Sequence, residues 1–165
     1  ESTAPLLRKP RARPGSSDIE VHGVGDLLTK FARCCKPVPG DAIVGFITQG
    51  HGVSIHRRDC HNVLRAIADH PERFVEVEWG HQASGSYPVD IEIHAFDRQG
   101  LLRDITTLLA NEEVNVTAVN TQSHRQSHTA ILTLSVEVPN IESLSAVLAR
   151  INQLSNVTEV RRKTK

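Results

Sequence analysis

Polar and apolar residues alternate along much of the second half of the chain, in the period of two that indicates half-buried β-strands. The alternation is clear over residues 89–95 and 130–138, and residues 114–122 are rich in Thr and Val, which favour strands. Residues 101–109 place apolar side chains at i, i+1, i+4, i+7 and i+8, the period of an amphipathic helix. This half therefore begins with a strand, a helix and two more strands.

The remainder of the second half predicts one more helix and one more strand. Pro139 ends the preceding strand, and Asn140 is placed to cap a helix over residues 141–154, whose apolar side chains share one face. Residues 157–162 predict a closing strand. The order β-α-β-β-α-β predicts a ferredoxin-like antiparallel sheet with both helices on one face. The free face of that sheet is expected to carry Glu92, His94, Thr133 and Ser135.

Shorter apolar runs, separated by closely spaced prolines and glycines, characterise the first half of the chain. Residues 25–33 contain leucines and a phenylalanine at helical spacing and predict a short helix with Asp26 as its N-cap. Residues 43–48 and 52–56 predict two strands joined by a tight hairpin, because a short Gly-containing segment separates them.

A second helix is expected directly after the hairpin, with Asp59 as its N-cap. Its apolar face is expected to consist of Val63, Leu64, Ile67 and Ala68. Residues 74–79 then predict a strand with Val75, Val77 and Trp79 on one face. The resulting unit of helix, hairpin, helix and strand is small enough to need stabilisation beyond its apolar core.

Segments rich in Pro, Gly and Ser divide the chain into two domains. Residues 1–20 are expected to form a flexible linker, residues 21–80 the first domain, residues 81–86 a second linker and residues 87–165 the second domain. The fold class is therefore α+β, with a small helix–hairpin–helix–strand domain followed by a ferredoxin-like βαββαβ domain. The first residue is Glu rather than Met, which indicates a piece cut from a longer protein.

The composition disfavours several functional classes. With 19 Lys and Arg against 19 Asp and Glu, the chain as a whole lacks the basic character of a nucleic-acid-binding protein. It has no apolar run long enough to span a membrane and no signal peptide, so a cytoplasmic location without membrane contact is expected. The three cysteines, an odd number without a secretory signal, favour reduced thiols or metal ligands over disulfides.

Two segments of the chain resemble parts of one protein family. Residues 33–60, RCCKPVPGDAIVGFITQGHGVSIHRRDC, resemble the zinc-finger-like domain of RelA/SpoT stringent-response proteins, also called the ribosome-intersubunit domain. Residues 97–116, DRQGLLRDITTLLANEEVNV, are similar to the ACT domain of the same proteins. Together the resemblances cover about residues 21–165, and the segments GFITQG and SIHRRDC are closer to the RelA and Rel branch than to the SpoT branch.

The resemblance implies a regulatory role. RelA/SpoT proteins make guanosine tetra- and pentaphosphate by transferring pyrophosphate from ATP to GDP or GTP, and their synthetase and hydrolase domains lie upstream of these two domains. Their C-terminal region senses deacylated tRNA on stalled ribosomes during amino-acid starvation, contacts large-subunit ribosomal RNA and restrains the N-terminal catalytic domains. The chain is then a regulatory fragment, without catalytic activity, of a GTP pyrophosphokinase that either only synthesises (p)ppGpp or also hydrolyses it.

Other functions stay open at this stage. One alternative is a dimerisation and amino-acid-binding ACT module without direct RNA contact. A stand-alone metal or redox enzyme is disfavoured, because no recognisable orienting group or oxyanion loop accompanies the Cys and His residues. The β-α-β-β-α-β order is shared with RNA-recognition motifs, but residues 130–138 lack the aromatic side chains that such domains stack on bases.

The resemblance maps four residues onto the proposed zinc ligands of the family: Cys34, Cys35, His56 and Cys60. Three thiolates and one imidazole form a suitable tetrahedral ligand set for zinc. The weak point is that Cys34 and Cys35 are adjacent, whereas paired zinc-binding cysteines are usually separated by two or more residues. Buried reduced thiols with a hydrogen-bonded His56, or a redox-sensing group, are therefore alternatives to a zinc site.

Basic side chains lie close to the same motif, and such side chains on exposed loops are suited to contact phosphate groups. Double-stranded RNA is recognised by its shape and backbone, so the hairpin tip and the helix start are reasonable contact points. These candidate RNA-binding residues are Arg33, Lys36, His51, Arg57, Arg58 and His61. At the position of His51 the family often has Arg, and the histidine weakens phosphate contact at neutral pH. The alternative is an ordinary charged surface.

The loop between the first strand and helix of the second domain is a third candidate site. It consists of Asp97, Arg98, Gln99, Gly100, Leu101 and Leu102. In ACT domains the corresponding loop often binds an amino acid at a dimer interface, so the resemblance implies a branched-chain amino acid and a second copy of the chain as partners. A helix N-terminus also offers free N–H groups to a carboxylate. The alternative is that Gly100 only permits a tight turn.

Overall fold

The computed structural model describes residues 19–21, 28–48, 52–80 and 85–164. These residues form a small domain of strands and one helix, followed by a ferredoxin-like domain, so the predicted α+β fold class is confirmed. Within the described ranges, none of the helices is long and apolar enough to span a membrane.

The first domain is built on a four-stranded sheet and one helix. Its elements are β1 (Ile19–Val21), β2 (Leu28–Phe31), β3 (Ile43–Ile47), β4 (Gly52–Arg57), α1 (His61–Asp69), β5 (Phe74–Val75) and β6 (Val77–Trp79). The sheet order is β2-β4-β3-β5, in which β2 runs parallel to β4 and the other pairs are antiparallel. The predicted hairpin of β3 and β4 is confirmed, and β1 pairs with β6 in a separate two-stranded ribbon.

The helix predicted over residues 25–33 is wrong, because its described part contains strand β2, Leu28–Phe31. β2 pairs in register with β4, so a neighbouring strand satisfies its backbone hydrogen bonds. A single turn of helical spacing is too short to form a stable helix, and the tertiary pairing outweighs it. The predicted cap Asp26 lies outside the described residues.

Helix α1 begins at His61, so the prediction that Asp59 is its N-cap is wrong. Cys60 occupies the cap position without a side-chain cap bond, and the Asp59 carboxylate instead accepts a hydrogen bond from Arg57 Nη2 at 2.6 Å.

The apolar face predicted for α1 is only partly buried. Val63 is buried, and the exposed members are Leu64, Ile67 and Ala68. The core of so small a domain covers only part of the helix.

Two boundaries in the first domain differ from the predicted ones. β1 begins at Ile19, inside the segment expected to be a linker, because this short strand pairs with β6. The strand predicted over residues 74–79 is interrupted after Val75, although the predicted alternation holds and Val77 is buried. Residues 81–84 of the second predicted linker lie outside the described residues.

The second domain has the ferredoxin-like fold that its alternation predicts. Its elements are β7 (Tyr87–Phe96), α2 (Leu101–Asn111), β8 (Asn115–His124), β9 (Thr129–Val138), α3 (Ile141–Asn152) and β10 (Val157–Arg162). The sheet is antiparallel throughout, in the order β10-β7-β9-β8. The Asn140 side chain accepts a hydrogen bond from Ser143 N at 2.9 Å, which confirms the predicted cap of α3.

Alternation along β7 and β9 separates a buried face of the sheet from an open one. Residues such as Ile93 and Leu134 are fully buried in the core that includes α2 and α3. The residues predicted for the free face, Glu92, His94, Thr133 and Ser135, all keep partial exposure. There the Glu92 carboxylate is hydrogen-bonded to His94 at 2.6 Å and to Arg161 at 2.7 Å, and these bonds lower the pKa of Glu92.

The two domains meet at a loop of residues 36–41, called here the docking loop. Val38 belongs to the first domain in sequence but is fully buried in the apolar core of the second. Ile141 N, at the start of α3, donates a hydrogen bond to Pro39 O at 2.8 Å. The loop therefore packs against the second domain with both a side chain and its backbone.

Three aromatic rings extend the contact between the domains. Phe31 and Trp79 of the first domain are stacked with ring centroids 5.6 Å apart, and Tyr87 of the second domain meets both rings edge-on. Trp79 Nε1 also donates to the backbone oxygen of Asp41 at 3.0 Å, which ties the ring to the docking loop.

Candidate functional site

Three parts of the first domain bring the predicted metal ligands together. Cys34 and Cys35 lie in the turn after β2, His56 lies near the end of β4, and Cys60 directly precedes α1. One possible ligand atom from each of these residues lies within 4.8 Å of the other three. The turn, the hairpin and the helix start therefore converge on one point, with a group of side chains that could hold a metal ion.

Four of the six distances between these atoms are close to the edges of a tetrahedron around a metal ion, and the other two are at most 4.8 Å. Cys34 Sγ lies 3.6 Å from Cys60 Sγ and 3.9 Å from Cys35 Sγ. His56 Nδ1 lies 3.5 Å from Cys34 Sγ and 3.8 Å from Cys35 Sγ. Zinc–sulfur bonds of about 2.3 Å and zinc–nitrogen bonds of about 2.0 Å place tetrahedral sulfurs about 3.8 Å apart, and sulfur and nitrogen about 3.5 Å apart. The residues present therefore fit a tetrahedral metal ion.

The adjacency of Cys34 and Cys35 does not keep their thiols apart. The chain turns at these residues, Lys36 N donates to Ala32 O at 3.1 Å, and Lys36 takes a left-handed φ of 45°. In this turn both sulfur atoms approach the same imidazole nitrogen. The geometric objection to an adjacent ligand pair is thereby removed.

Burial keeps two of the possible ligands uncharged when no metal is bound. Desolvation raises the pKa of Cys35 to about 12, although a hydrogen bond from Arg57 N at 3.3 Å opposes the shift. Burial also lowers the pKa of His56, so its imidazole is neutral near pH 7 and available to a metal. Metal binding must therefore displace the proton of Cys35, and it becomes less favourable as the pH falls.

Ser54 orients the imidazole of His56 and is a residue that sequence analysis missed. Ser54 Oγ lies 3.2 Å from His56 Nε2, so Nδ1 is the ring nitrogen that faces the thiols. The two residues are two positions apart on β4 and therefore point to the same side of the strand. That spacing is a signal by which the partner of His56 could have been found.

Three of the predicted RNA-binding residues lie on the surface. Arg33, Arg58 and His61 are exposed, and no described residue forms an ion pair with their side chains. Each lies one or two positions from a member of the Cys and His group. The backbone conformation around the Cys and His group therefore also sets the positions from which these basic side chains extend into solvent.

Two of the other predicted RNA-binding residues have side chains that are engaged in ion pairs within the protein. Lys36 Nζ lies 2.8 Å from the Asp90 carboxylate, and Arg57 Nη2 lies 2.6 Å from Asp59. Because the Arg57 side chain is only 14% exposed, its guanidinium is engaged within the protein. His51 lies outside the described residues. Within the described residues of this set, the exposed basic side chains are thus Arg33, Arg58 and His61.

The predicted ACT loop forms a tight entry into α2. Gly100 has a left-handed φ of 82° and precedes the first helical residue, and Arg98 pairs with Asp104 in the first turn of the helix. A groove of about 270 Å³ runs between this loop, β8 and β9. Its lining from the loop consists of Asp97, Arg98, Gly100, Leu101 and Leu102. Gln99 instead lines a neighbouring groove with His124 and His128.

Two domain families match this chain. Residues 19–80 match the RelA/SpoT RIS domain, and residues 83–162 match the ACT domain. The first match contains the Cys and His group with its basic neighbours, and the second contains the loop before α2.

Relatives from several bacteria are named GTP pyrophosphokinase. The GTP pyrophosphokinase of Haemophilus influenzae is 49% identical over 144 residues, which are 87% of this chain and 19% of the relative. The enzyme of Escherichia coli K12 is 46% identical over the same shares, and that of Streptomyces coelicolor is 39% identical over 99% of this chain and 19% of the relative. The chain thus spans about a fifth of the length of the curated relatives it matches.

A solved structure also resembles the second domain. The crystal structure of the ACT domain from GTP pyrophosphokinase of Chlorobium tepidum aligns with a TM-score of 0.43 and 18% identity, over 47% of this chain and 99% of that chain.

Proposed function

Because this chain belongs to the RelA/SpoT family and carries its RIS and ACT domains, we propose that it is the regulatory region that holds a GTP pyrophosphokinase on the ribosome. In this proposal the rest of the parent enzyme makes guanosine tetra- and pentaphosphate when deacylated tRNA occupies a stalled ribosome. The chain itself contacts large-subunit ribosomal RNA in the cytoplasm and restrains the catalytic domains until amino-acid starvation is sensed.

The observation that carries the proposal is the position of the exposed basic side chains beside the ligand group. Arg33, Arg58 and His61 are exposed and lie within two positions of a member of the Cys and His group. Because the folded backbone fixes where these side chains attach, contact with phosphate groups costs side-chain freedom but little backbone freedom, which favours binding to a structured RNA. A flexible charged tail would not provide such an arrangement.

Zinc is the metal that suits the ligand group best. Three cysteine sulfurs and one imidazole nitrogen are soft or intermediate donors, which favour zinc over magnesium or calcium. With four protein ligands the tetrahedral coordination is complete, and this is typical of structural rather than catalytic zinc. In this role the metal would fix the relative positions of the turn, β4 and the start of α1.

The test is ribosome co-sedimentation of the parent protein with the double substitution Arg33→Glu and Arg58→Glu. We expect at least about tenfold weaker association at moderate salt, because two phosphate contacts become repulsive. The double substitution Arg103→Glu and Arg125→Glu provides a matched control, since both are exposed arginines of the other domain and the net charge changes by the same amount. Unchanged sedimentation of the folded double variant would contradict the proposal.

A second candidate function is dimerisation with amino-acid binding through the ACT domain. It is favoured by the groove beside Gly100, and by the exposed apolar side chains of Phe96, Leu102 and Val119. A branched-chain amino acid in that groove would direct its carboxylate to the free N–H groups of α2. Light scattering with and without leucine, and titration calorimetry, test this function. A monomer that shows no binding heat at millimolar leucine, isoleucine or valine would exclude it.

A further inference from the structure

The docking loop continues directly from the metal-ligand pair. Cys34 and Cys35 supply two of the four possible ligands, and Val38, three residues later, is fully buried in the core of the second domain. Pro37 and Pro39 flank Val38 and fix the backbone torsion φ at their own positions. A stiff segment therefore connects the ligand group to the contact between the domains.

Arg162, at the end of β10 in the second domain, holds both ends of this loop. Its guanidinium donates to the two carboxylate oxygens of Asp41 at 2.9 and 2.8 Å, and to the backbone oxygen of Lys36 at 2.6 Å. The side chains of Arg162 and Asp41 are only 11% and 10% exposed. A bidentate pair of this kind is geometrically specific and requires the docking loop to keep one conformation.

Two further contacts restrain the loop. Lys36 Nζ lies 2.8 Å from the carboxylate of Asp90 on β7, and Asp41 Oδ2 accepts a hydrogen bond from Val38 N at 2.8 Å. Lys36 directly follows Cys35 and has the left-handed φ that completes the turn of the ligand pair. The conformation that presents the two sulfur atoms to a metal is therefore continuous with the one that the second domain binds.

We propose that metal binding by the RIS domain and docking of the ACT domain are coupled through residues 34–41, and that Arg162 is a positioning residue for Cys34 and Cys35. This inference rests on the proposed metal binding. A bound metal fixes one end of the segment, so docking then has less conformational entropy to overcome. Docking fixes the other end and favours the ligand geometry, because coupling between two sites is reciprocal.

The experiment measures the Zn²⁺ affinity of the 165-residue chain by competition with a chromophoric chelator. Arg162→Ala is expected to weaken zinc binding about tenfold, the lower end of the effect of residues that support metal ligands. Arg161→Ala is the matched control, because this neighbouring arginine pairs with Glu92 on the free face of the sheet and is 57% exposed. Its zinc affinity should stay within about twofold of the wild type.

A second measurement uses the wild-type chain and does not depend on how the variants fold. Hydrogen exchange with and without zinc should show faster exchange of the Ile141 amide after zinc removal, because this amide donates to Pro39 in the docking loop. Amides in β9 should keep their protection, since their partners lie within the second domain.

The outcomes separate this inference from the proposed metal site. Wild-type protein that binds no zinc would overturn both. Zinc bound equally well by the wild type and a folded Arg162→Ala variant would overturn the coupling alone, as would an Ile141 amide whose exchange does not respond to zinc.

Discussion

The two domains of this chain are stabilised in different ways. The ACT domain has one continuous apolar core, formed by alternate residues of β7 and β9 and by the buried faces of α2 and α3. Among the described residues of the RIS domain, the buried ones form two clusters of five each, and one cluster combines Cys35 and Cys60 with Ala32, Val44 and Val63. Cysteines thus occupy core positions that a larger domain fills with apolar side chains.

This difference means that the two domains respond to different conditions. In the proposed function a metal ion bound to the RIS core would supply much of its stability, so the folding of this domain would depend on metal concentration and on pH. A continuous apolar core depends mainly on packing. Four substitutions, taken in order of expected effect, probe the comparison.

Cys60→Ser should have the largest effect and should act on the RIS domain. Structural zinc contributes roughly 10 kcal/mol to the folding of small zinc domains, and the loss of one ligand forfeits much of that contribution. Urea unfolding followed by the fluorescence of Trp79, the single tryptophan, should show an early transition, whereas most of the far-UV circular dichroism of the ACT domain persists. Chelator should destabilise the wild type similarly and leave the variant unaffected. A variant as stable as the wild type would contradict the claim that the Cys and His group stabilises the RIS domain.

Leu134→Ala should produce the complementary result. Leu134 is fully buried on β9, and truncation of such a leucine costs about 2–5 kcal/mol through lost burial and a residual cavity. Thermal unfolding should show a less stable ACT domain, while zinc content at 25 °C stays at the wild-type value. Loss of zinc from a variant that remains folded would show that metal binding by the RIS domain depends on packing in the ACT core.

Gly40→Ala should damage the contact between the domains rather than either core. Gly40 has a φ of 102°, and an added Cβ would overlap Cγ2 of Ile141, so we expect a cost of about 2–4 kcal/mol. Gly100→Ala is the control, because its φ of 82° is also left-handed but the nearest atom to a new Cβ is 3.8 Å away. Its cost should be about 1–2 kcal/mol. Equal melting temperatures for the two variants would contradict the tight contact at Ile141.

Glu92→Gln should have the smallest effect and should appear in the pH dependence of stability. The hydrogen bonds from His94 and Arg161 lower the pKa of Glu92 in the folded state. They therefore stabilise the protein above the ordinary glutamate pKa, and this contribution is lost as the pH falls through the lowered folded-state value. Urea unfolding between pH 3 and pH 7 should show a smaller loss of stability on acidification for the variant. Parallel curves would rule out this role of Glu92.

The two domains also differ in how well their sequences predict them. Strict alternation over β7 and β9, the helical periods of α2 and α3 and the capping residue Asn140 led to the β-α-β-β-α-β order that predicts the ferredoxin-like fold. The RIS domain relies on tertiary contacts, so β2 was predicted as a helix although it pairs with β4. The exposed side of α1 was likewise predicted to be buried, because its apolar spacing does not show how little core is available.

The sequence identifies which residues form the candidate site, but it does not predict how they are arranged in space. The sequence indicates the Cys and His group, yet adjacent cysteines argue against a shared metal until the turn at Lys36 is seen. The pairing of Arg162 with Asp41 joins residues 121 positions apart, and no local pattern identifies such a contact. Burial of Arg57 likewise depends on the folded domain rather than on its charge.

The most direct test of the account is the amount of zinc bound to the protein when it is purified without chelator. The convergence of three thiols and one imidazole, with four of their separations close to tetrahedral values, predicts about one zinc ion per chain by elemental analysis. Less than about a tenth of an equivalent, in protein that is folded and has reduced cysteines, would contradict the claim that a metal organises the RIS domain.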